Sequence, residues 1–198
     1  MIYENTTIFD FETTGLDPSY DKIIELALIR IRNGKVVGTL NYLINPETVI
    51  PHNITDITGI TNDDVCNCPT IKQLLPWMMA IIGDSLLVAH NALFDLTFLD
   101  VANQKYRGKS VNNSFIDTRA ICIDRFPYES HRLELMCNKY QIRLDGAHRA
   151  LNDVSATWEL LQKLDQEKTV EDYLNKIYYF KKHGVPNWMP EHARIVGL

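Results

Sequence analysis

The run Ile8-Phe9-Asp10-Phe11-Glu12-Thr13-Thr14-Gly15-Leu16 constrains this chain more than any other stretch. Residues 6–11 are mostly β-branched or aromatic, which favours a strand. Side chains on a strand alternate between its faces, so Asp10 and Glu12 share one face while Phe9 and Phe11 share the other. Two carboxylates this close repel, and burying them unpaired is costly. A divalent cation removes the repulsion, and hard cations such as Mg²⁺ take carboxylate oxygens. Thr13-Thr14-Gly15 then breaks the strand, with Gly15 permitting a tight turn or the close approach of a ligand. The same residues, taken alone, also describe a strand running out into solvent with two exposed acids. Partners elsewhere in the chain decide between these readings.

A chain of 198 residues with 45% hydrophobic content is expected to form one domain, with at most a small appendage. Its apolar runs, such as 81–82 and 86–89, are far too short to span a bilayer. Residues 1–4 have neither the basic nor the apolar region of a signal peptide, so a cytoplasmic protein with no membrane partner is expected. The four cysteines, at 66, 68, 122 and 137, form no Cys-x-x-Cys pair and read as reduced thiols. Cys66, Cys68 and His52 have the wrong spacing for a usual zinc site. A net charge of −5 argues against a broad basic nucleic-acid surface but allows a site that grips one strand end through metal ions.

Residues 23–32 and 35–44 are strand-like, and Asn33-Gly34 between them is a strong hairpin signal. With the first strand they make a three-stranded antiparallel start, closed by Pro46 and Pro51. A helical turn ending at Gly59 and a second turn capped by residues 61–64 follow. A helix is expected over 69–82, a buried strand over 85–90, a helix opening at 91–92 and ending before Gly108, and a brief strand over 114–117. Helices over 118–125, 132–140, 149–166 and about 170–183 complete the chain, before a proline-rich tail. Antiparallel strands followed by strand–helix units describe an α/β fold whose mixed five-stranded central sheet carries parallel additions and is flanked by helices.

Two further pieces carry chemistry. Asp95 lies in the first turn of the helix after the buried strand, where α/β proteins place ligands and where an acid also complements the helix dipole. His148 sits just before the long helix and Asp153 just inside it, beside the inward-facing Val154. A histidine paired with such an aspartate is a candidate general base, since imidazole titrates near neutral pH.

Three segments together resemble the motifs of the DEDDh exonucleases, the family of the proofreading epsilon subunit of bacterial DNA polymerase III. They are Phe9-Asp10-Phe11-Glu12-Thr13-Thr14-Gly15-Leu16, His90-Asn91-Ala92-Leu93-Phe94-Asp95 and His148-Arg149-Ala150-Leu151-Asn152-Asp153. Ile57-Thr58-Gly59-Ile60-Thr61 resembles the short segment those enzymes carry between the first two motifs, and the likeness covers about residues 6–164. It implies a ribonuclease H-like fold and two divalent cations, Mg²⁺ or Mn²⁺, held by Asp10, Glu12, Asp95 and Asp153. Asp10 would bridge the ions, Glu12 and Asp153 would complete the first, and Asp95 would hold the second, partly through water. His148 would take the proton from the attacking water. Thr13, Gly15, Leu16, Thr58 and Asn91 would surround the terminal nucleotide. Phe94 would stack on a base or else serve as a core residue.

The implied activity is 3′–5′ exonuclease release of nucleoside 5′-monophosphates from single-stranded DNA, in proofreading or repair, with a DNA polymerase subunit as a partner. Trimming of RNA 3′ ends is the alternative within the family. A catalytically silent polymerase-docking module is the alternative outside it, and the full set of acids speaks against that. The exonuclease domain is expected over 1–168, with a helical extension over 169–198. Lys105, Arg107 and Lys109, and Lys181-Lys182, are the nearest approach to basic clusters, so a weak grip on substrate is expected.

Overall fold

The computed structural model describes residues 2–146, 148–179 and 186–197. Its frame is a five-stranded sheet in the order β3-β2-β1-β4-β5, formed by β1 (Asn5–Thr13), β2 (Ile23–Arg32), β3 (Lys35–Leu43), β4 (Leu86–Ala89) and β5 (Phe115–Asp117). β1 and β2 pair antiparallel from Asn5↔Arg32 to Thr13↔Ile23, with an irregularity between Glu12 and Thr13. β4 and β5 add in parallel. The turn between β2 and β3 has φ of 50° at Asn33 and 73° at Gly34. These are the two positive values that make Asn-Gly favourable there. β2 is buried at every position but its last, as a strand covered on both faces must be, while β3 is an exposed edge.

Helices cover both faces. Short α1 (His52–Thr58) and α2 (Asn62–Val65) follow β3, and α2 begins with the Thr61/Asp64 capping box. α3 (Ile71–Ile82) and α4 (Ala92–Arg107) pack Leu75, Met78, Leu96 and Leu99 onto the face that carries Phe9 and Phe11. α5 (Thr118–Arg125), α6 (Leu133–Tyr140) and α7 (Ala150–Glu167) bury Ile121, Met136, Val154 and Leu161 against Ile8, Ala27 and Ile29 on the other. The strand alternation of β1 thus assigns its odd and even side chains to two separate cores. No helix among the described residues is long and apolar enough to cross a membrane. All four cysteines are free, with Cys122 and Cys137 buried.

The end of the chain differs from the expected helix over 170–183. A 3₁₀ turn at Glu171–Tyr173 leads into β6 (Lys176–Tyr179), which pairs in parallel with β7 (Arg194–Gly197). Residues 180–185 lie outside the described residues. The helical character expected over 169–198 is therefore corrected in its described part. Asn175 is the physical reason. Its φ of 57° interrupts any helix. Its side-chain oxygen accepts from Phe115 N–H at 2.8 Å while its own N–H donates to Phe115 O at 2.8 Å. Asn175 thereby satisfies the outer edge of β5, and the β-favouring Ile177 and Tyr178 follow in extended form.

Candidate active site

β1 and β4 pair only as far as Ile8↔Val88, which leaves the amide edge of β1 open toward its carboxyl end. Asp95, in the first turn of α4, fills that opening: its Oδ1 accepts from Phe11 N–H at 3.0 Å. Asp10 and Glu12 project toward the α7 face, while Phe9 and Phe11 pack edge-to-face at 5.6 Å on the opposite one. The irregularity between Glu12 and Thr13 bends the strand where the acids leave it.

The start of α7 completes the site. His148 has a φ of 64°, and its N–H donates to Asp153 Oδ2 at 3.0 Å. Glu25 lies opposite Glu12 in the β1–β2 register and is fully buried. Its Oε2 accepts from Arg149 Nε at 3.2 Å and from Ala150 N–H at 3.1 Å, while its Oε1 accepts from Arg149 Nη2 at 3.2 Å. One carboxylate of β2 therefore ties the first residue of α7, and the arginine beside His148, to the central sheet. An acid at a helix N-terminus also complements the helix dipole.

Burial and mutual repulsion act together on the acids. Burial first, and then the charges of Asp95, Glu12 and Asp153, hold the Asp10 carboxyl well above the usual carboxylate range. Glu12 is pushed up to about 8 by burial and by Asp153 and Glu25, against the pull of Arg149. Burial raises Asp95 despite its bond from Phe11 N–H. Asp153 is pushed up to about 6 by burial, despite the His148 N–H. Shifts of this kind, in a cleft, mark a functional site.

These acids line an open cavity of about 540 Å³. Every residue expected at the site borders it: Asp10, Glu12, Asp95, His148 and Asp153, and also Thr13, Gly15, Leu16, Thr58, Asn91 and Phe94. Their settings differ. Leu16 is 83% exposed, and Phe94 packs against Phe98 at 5.0 Å while still facing the cavity, so its core and lining roles coexist. Asn91 takes a left-handed φ of 76° and donates its N–H to Asp117 Oδ1 at 2.9 Å. Thr58 Oγ1 donates to Ile54 O at 3.0 Å, closing the end of α1. Gly15 has no positive φ. Its need is spatial, because a Cβ there would lie 2.5 Å from Asp21 Oδ2. That carboxylate is fixed by Thr14 Oγ1 at 3.1 Å and Asp17 N–H at 2.9 Å.

Sequence reasoning did not single out Glu25, His90 or Arg132 as site residues. Glu25 left a signal: an acid amid an otherwise apolar strand run. His90 left a weaker one, lying beside Asn91. Arg132, in an unremarkable loop, left none. Of the basic groups considered, Lys105, Arg107 and Lys109 do not line the cavity, and Lys181-Lys182 lie outside the described residues.

The donor set fits a divalent cation. Ligand atoms of Glu12, His148 and Asp153 lie within 4.8 Å of one another. Asp153 Oδ1 is buried with no hydrogen-bond partner, an unsatisfied acceptor that a cation would complete. The carboxylate oxygens of Glu12 and Asp153 suit Mg²⁺, Mn²⁺ or a similar hard ion.

Comparison with known proteins agrees with this geometry. Residues 7–161 match the family model described as Exonuclease. DNA polymerase III PolC-type of Halalkalibacterium halodurans is 39% identical over 170 residues, covering 84% of this chain and 12% of the relative. The Bacillus subtilis protein of the same name is 38% identical over 163 residues, covering 81% of this chain and 11% of that one. The chain thus spans about an eighth of these curated relatives. Among solved structures, Exonuclease X in complex with 5′-overhanging duplex DNA superposes with a TM-score of 0.68 at 25% identity, covering 82% of this chain and 92% of that one. A zinc-bound complex of E. coli ExoI with single-stranded DNA reaches a TM-score of 0.75 at 20% identity, over 84% of this chain and 41% of that one. These likenesses agree with the ribonuclease H-like, mixed five-stranded sheet expected from the sequence.

Proposed function

The chain belongs to the exonuclease family; from that premise we propose that it is a 3′–5′ exonuclease whose cleft releases nucleoside 5′-monophosphates one at a time from the 3′ end of single-stranded DNA. The observation that carries this reading is the convergence of Asp10, Glu12, Asp95 and Asp153, with His148, on one open cleft. Two divalent cations, Mg²⁺ or Mn²⁺, held by those four carboxylates would acidify a water and stabilise the leaving 3′-oxygen. Asp10, whose carboxyl is raised by burial and then by the charges of Asp95, Glu12, Asp153 and Glu25, would have its own charge offset by those ions. Asp95 is oriented by Phe11 N–H, and Asp153 by His148 N–H. His148, exposed at the cleft mouth, accepts the proton of the attacking water on a ring nitrogen. Thr13, Gly15 and Leu16 receive the terminal nucleotide, Thr58 and Asn91 lie beside it, and Phe94 offers a ring face for stacking.

DNA rather than RNA is proposed because the first motif, Phe-Asp-Phe-Glu-Thr-Thr-Gly, is similar to proofreading enzymes and because the relatives are DNA polymerases. The PolC-type relatives support a cytoplasmic replication setting, with a polymerase as partner. The test offers matched 3′-labelled and 5′-labelled DNA and RNA strands with Mg²⁺, Mn²⁺ or chelator. Metal-dependent loss of single nucleotides from the 3′ end, faster on DNA, is expected. Endonucleolytic products, or equal cleavage in chelator, would overturn the reading.

A further inference from the structure

The cleft has a charge problem that its acids create. Four carboxylates and two divalent cations sum to no net charge, so a strand entering the cleft finds attraction only for the phosphate that touches the ions. A further phosphate has its charge neutralised only by another cation. Among the described residues lining the cleft, Arg132 is the only lysine or arginine. Neighbouring guanidinium groups are already engaged: Arg149 by Glu25 at 3.2 Å, and Arg119 by Asn91 Oδ1 at 3.3 Å. The Arg132 side chain is exposed and has no hydrogen bond or ion pair among the described residues.

Its backbone, by contrast, is pinned. The loop from α5 to α6 closes on itself through His131 Nε2, which donates to Phe126 O at 2.8 Å. Half-buried His90, on the strand side of the cleft, donates from Nε2 to His131 O at 2.8 Å and accepts at Nδ1 from Thr118 Oγ1 at 2.9 Å. On the far side, Arg132 O accepts from Met136 N–H at 3.0 Å as α6 begins. The result is an unpaired cation on a fixed stalk at the cleft wall.

We propose that Arg132 is a phosphate-binding subsite, taking a backbone phosphate of the bound strand other than the one being cut. This rests on the exonuclease reading above. A guanidinium offers a phosphate two parallel donors, which also fixes the strand's direction in the cleft.

The test is fluorescence anisotropy of labelled oligothymidylate with the full chain in Ca²⁺, titrated at several salt concentrations from about 50 to about 200 mM. Arg132→Gln is expected to weaken binding roughly tenfold and to lower the magnitude of the salt slope by about 0.7, the worth of one single-strand phosphate. Arg132→Lys should restore the slope, because a point charge still neutralises a phosphate. A merely structural role would lower affinity without changing the slope. An Arg132→Gln protein with wild-type affinity and slope would overturn the subsite. Hydrolysis of thymidine 5′-monophosphate p-nitrophenyl ester by the wild type, which needs no second phosphate, reports separately on the exonuclease reading. Failure there indicts the metal site, and an unmoved slope indicts Arg132.

Discussion

At the scale of single residues, the site is held together against its own charge. Glu12 has a folded pKa of about 8, above the roughly 4.3 of an unfolded glutamate. A raised carboxyl contributes stability that is complete below the unfolded value and is lost as pH rises through the folded one. In chelator, the protein should therefore lose a few kcal/mol of stability as pH climbs from about 4 to about 8. Glu12→Gln should flatten that loss, and Asp10→Asn should melt at or above the wild-type temperature, while both abolish metal-dependent hydrolysis. Thermal melts across pH, with and without Mn²⁺, measure this. A wild-type melting temperature that rises over the same window in chelator would refute it. His148 is a separate case. As the proton acceptor, His148→Ala should slow single-turnover cleavage by about 10²–10⁴-fold with Mn²⁺ affinity retained. Its ring lies among the ligand atoms of Glu12 and Asp153, so Mn²⁺ titration of the same variant is the discriminating measurement. A collapse of affinity would make it a ligand.

At the scale of elements, the N-terminus of α7 is the piece whose placement decides activity. It carries His148 and Asp153 on one short stretch, and Glu25 of β2 anchors it through Arg149 and Ala150. Arg149→Met leaves the buried Glu25 carboxylate with only the Ala150 N–H. A hydrogen bond to a charged group is worth about 1.5–3 kcal/mol, and a loss near the lower end is expected because Arg149 is 48% exposed. The rate should fall further than that stability change accounts for, because His148 is the adjacent residue. Parallel denaturant melts and turnover assays check this, and an unchanged turnover would show that the anchor is dispensable. Asn175 illustrates the same scale in the opposite sense. One left-handed residue, bonded both ways to Phe115, turns an apparently helical segment into a strand.

At the scale of the whole molecule, the described end of the chain is part of the core rather than an attachment to it. Val170 and Tyr173 are buried with α5 and α7, and Ile177 is buried with α4 on the other face. Tyr173 Oη also donates to Asp124 Oδ2 at 2.6 Å. Burying one large apolar side chain contributes about 1.5–3 kcal/mol. A chain ended after Lys168 should therefore melt about 10–20 °C lower than the full one. Calorimetry of the two would decide it, and equal melting temperatures would establish residues 169–198 as a dispensable extension.

The local patterns in the sequence determined the five strands of the central sheet, most helices and the identity of the converging acids, but not β6 or β7. Alternation on β1, the Asn33-Gly34 turn and the helix-start signals at 91 and 149 act over a few residues and leave their mark there. Glu25, Arg132 and Asn175 belong to a different order of information. Glu25 matters because a strand register places it opposite Glu12, and because a helix more than a hundred residues later starts on it. Arg132 matters because a histidine from another element holds its loop at the cleft. Asn175 matters because the edge of β5 offers two unpaired backbone groups. Gly15 spans both orders: its place after the acids was legible, but the reason no side chain fits there is the fixed carboxylate of Asp21. Hydrophobic periodicity records which face of an element is buried, whereas the partner of a buried charge is chosen only when the faces meet.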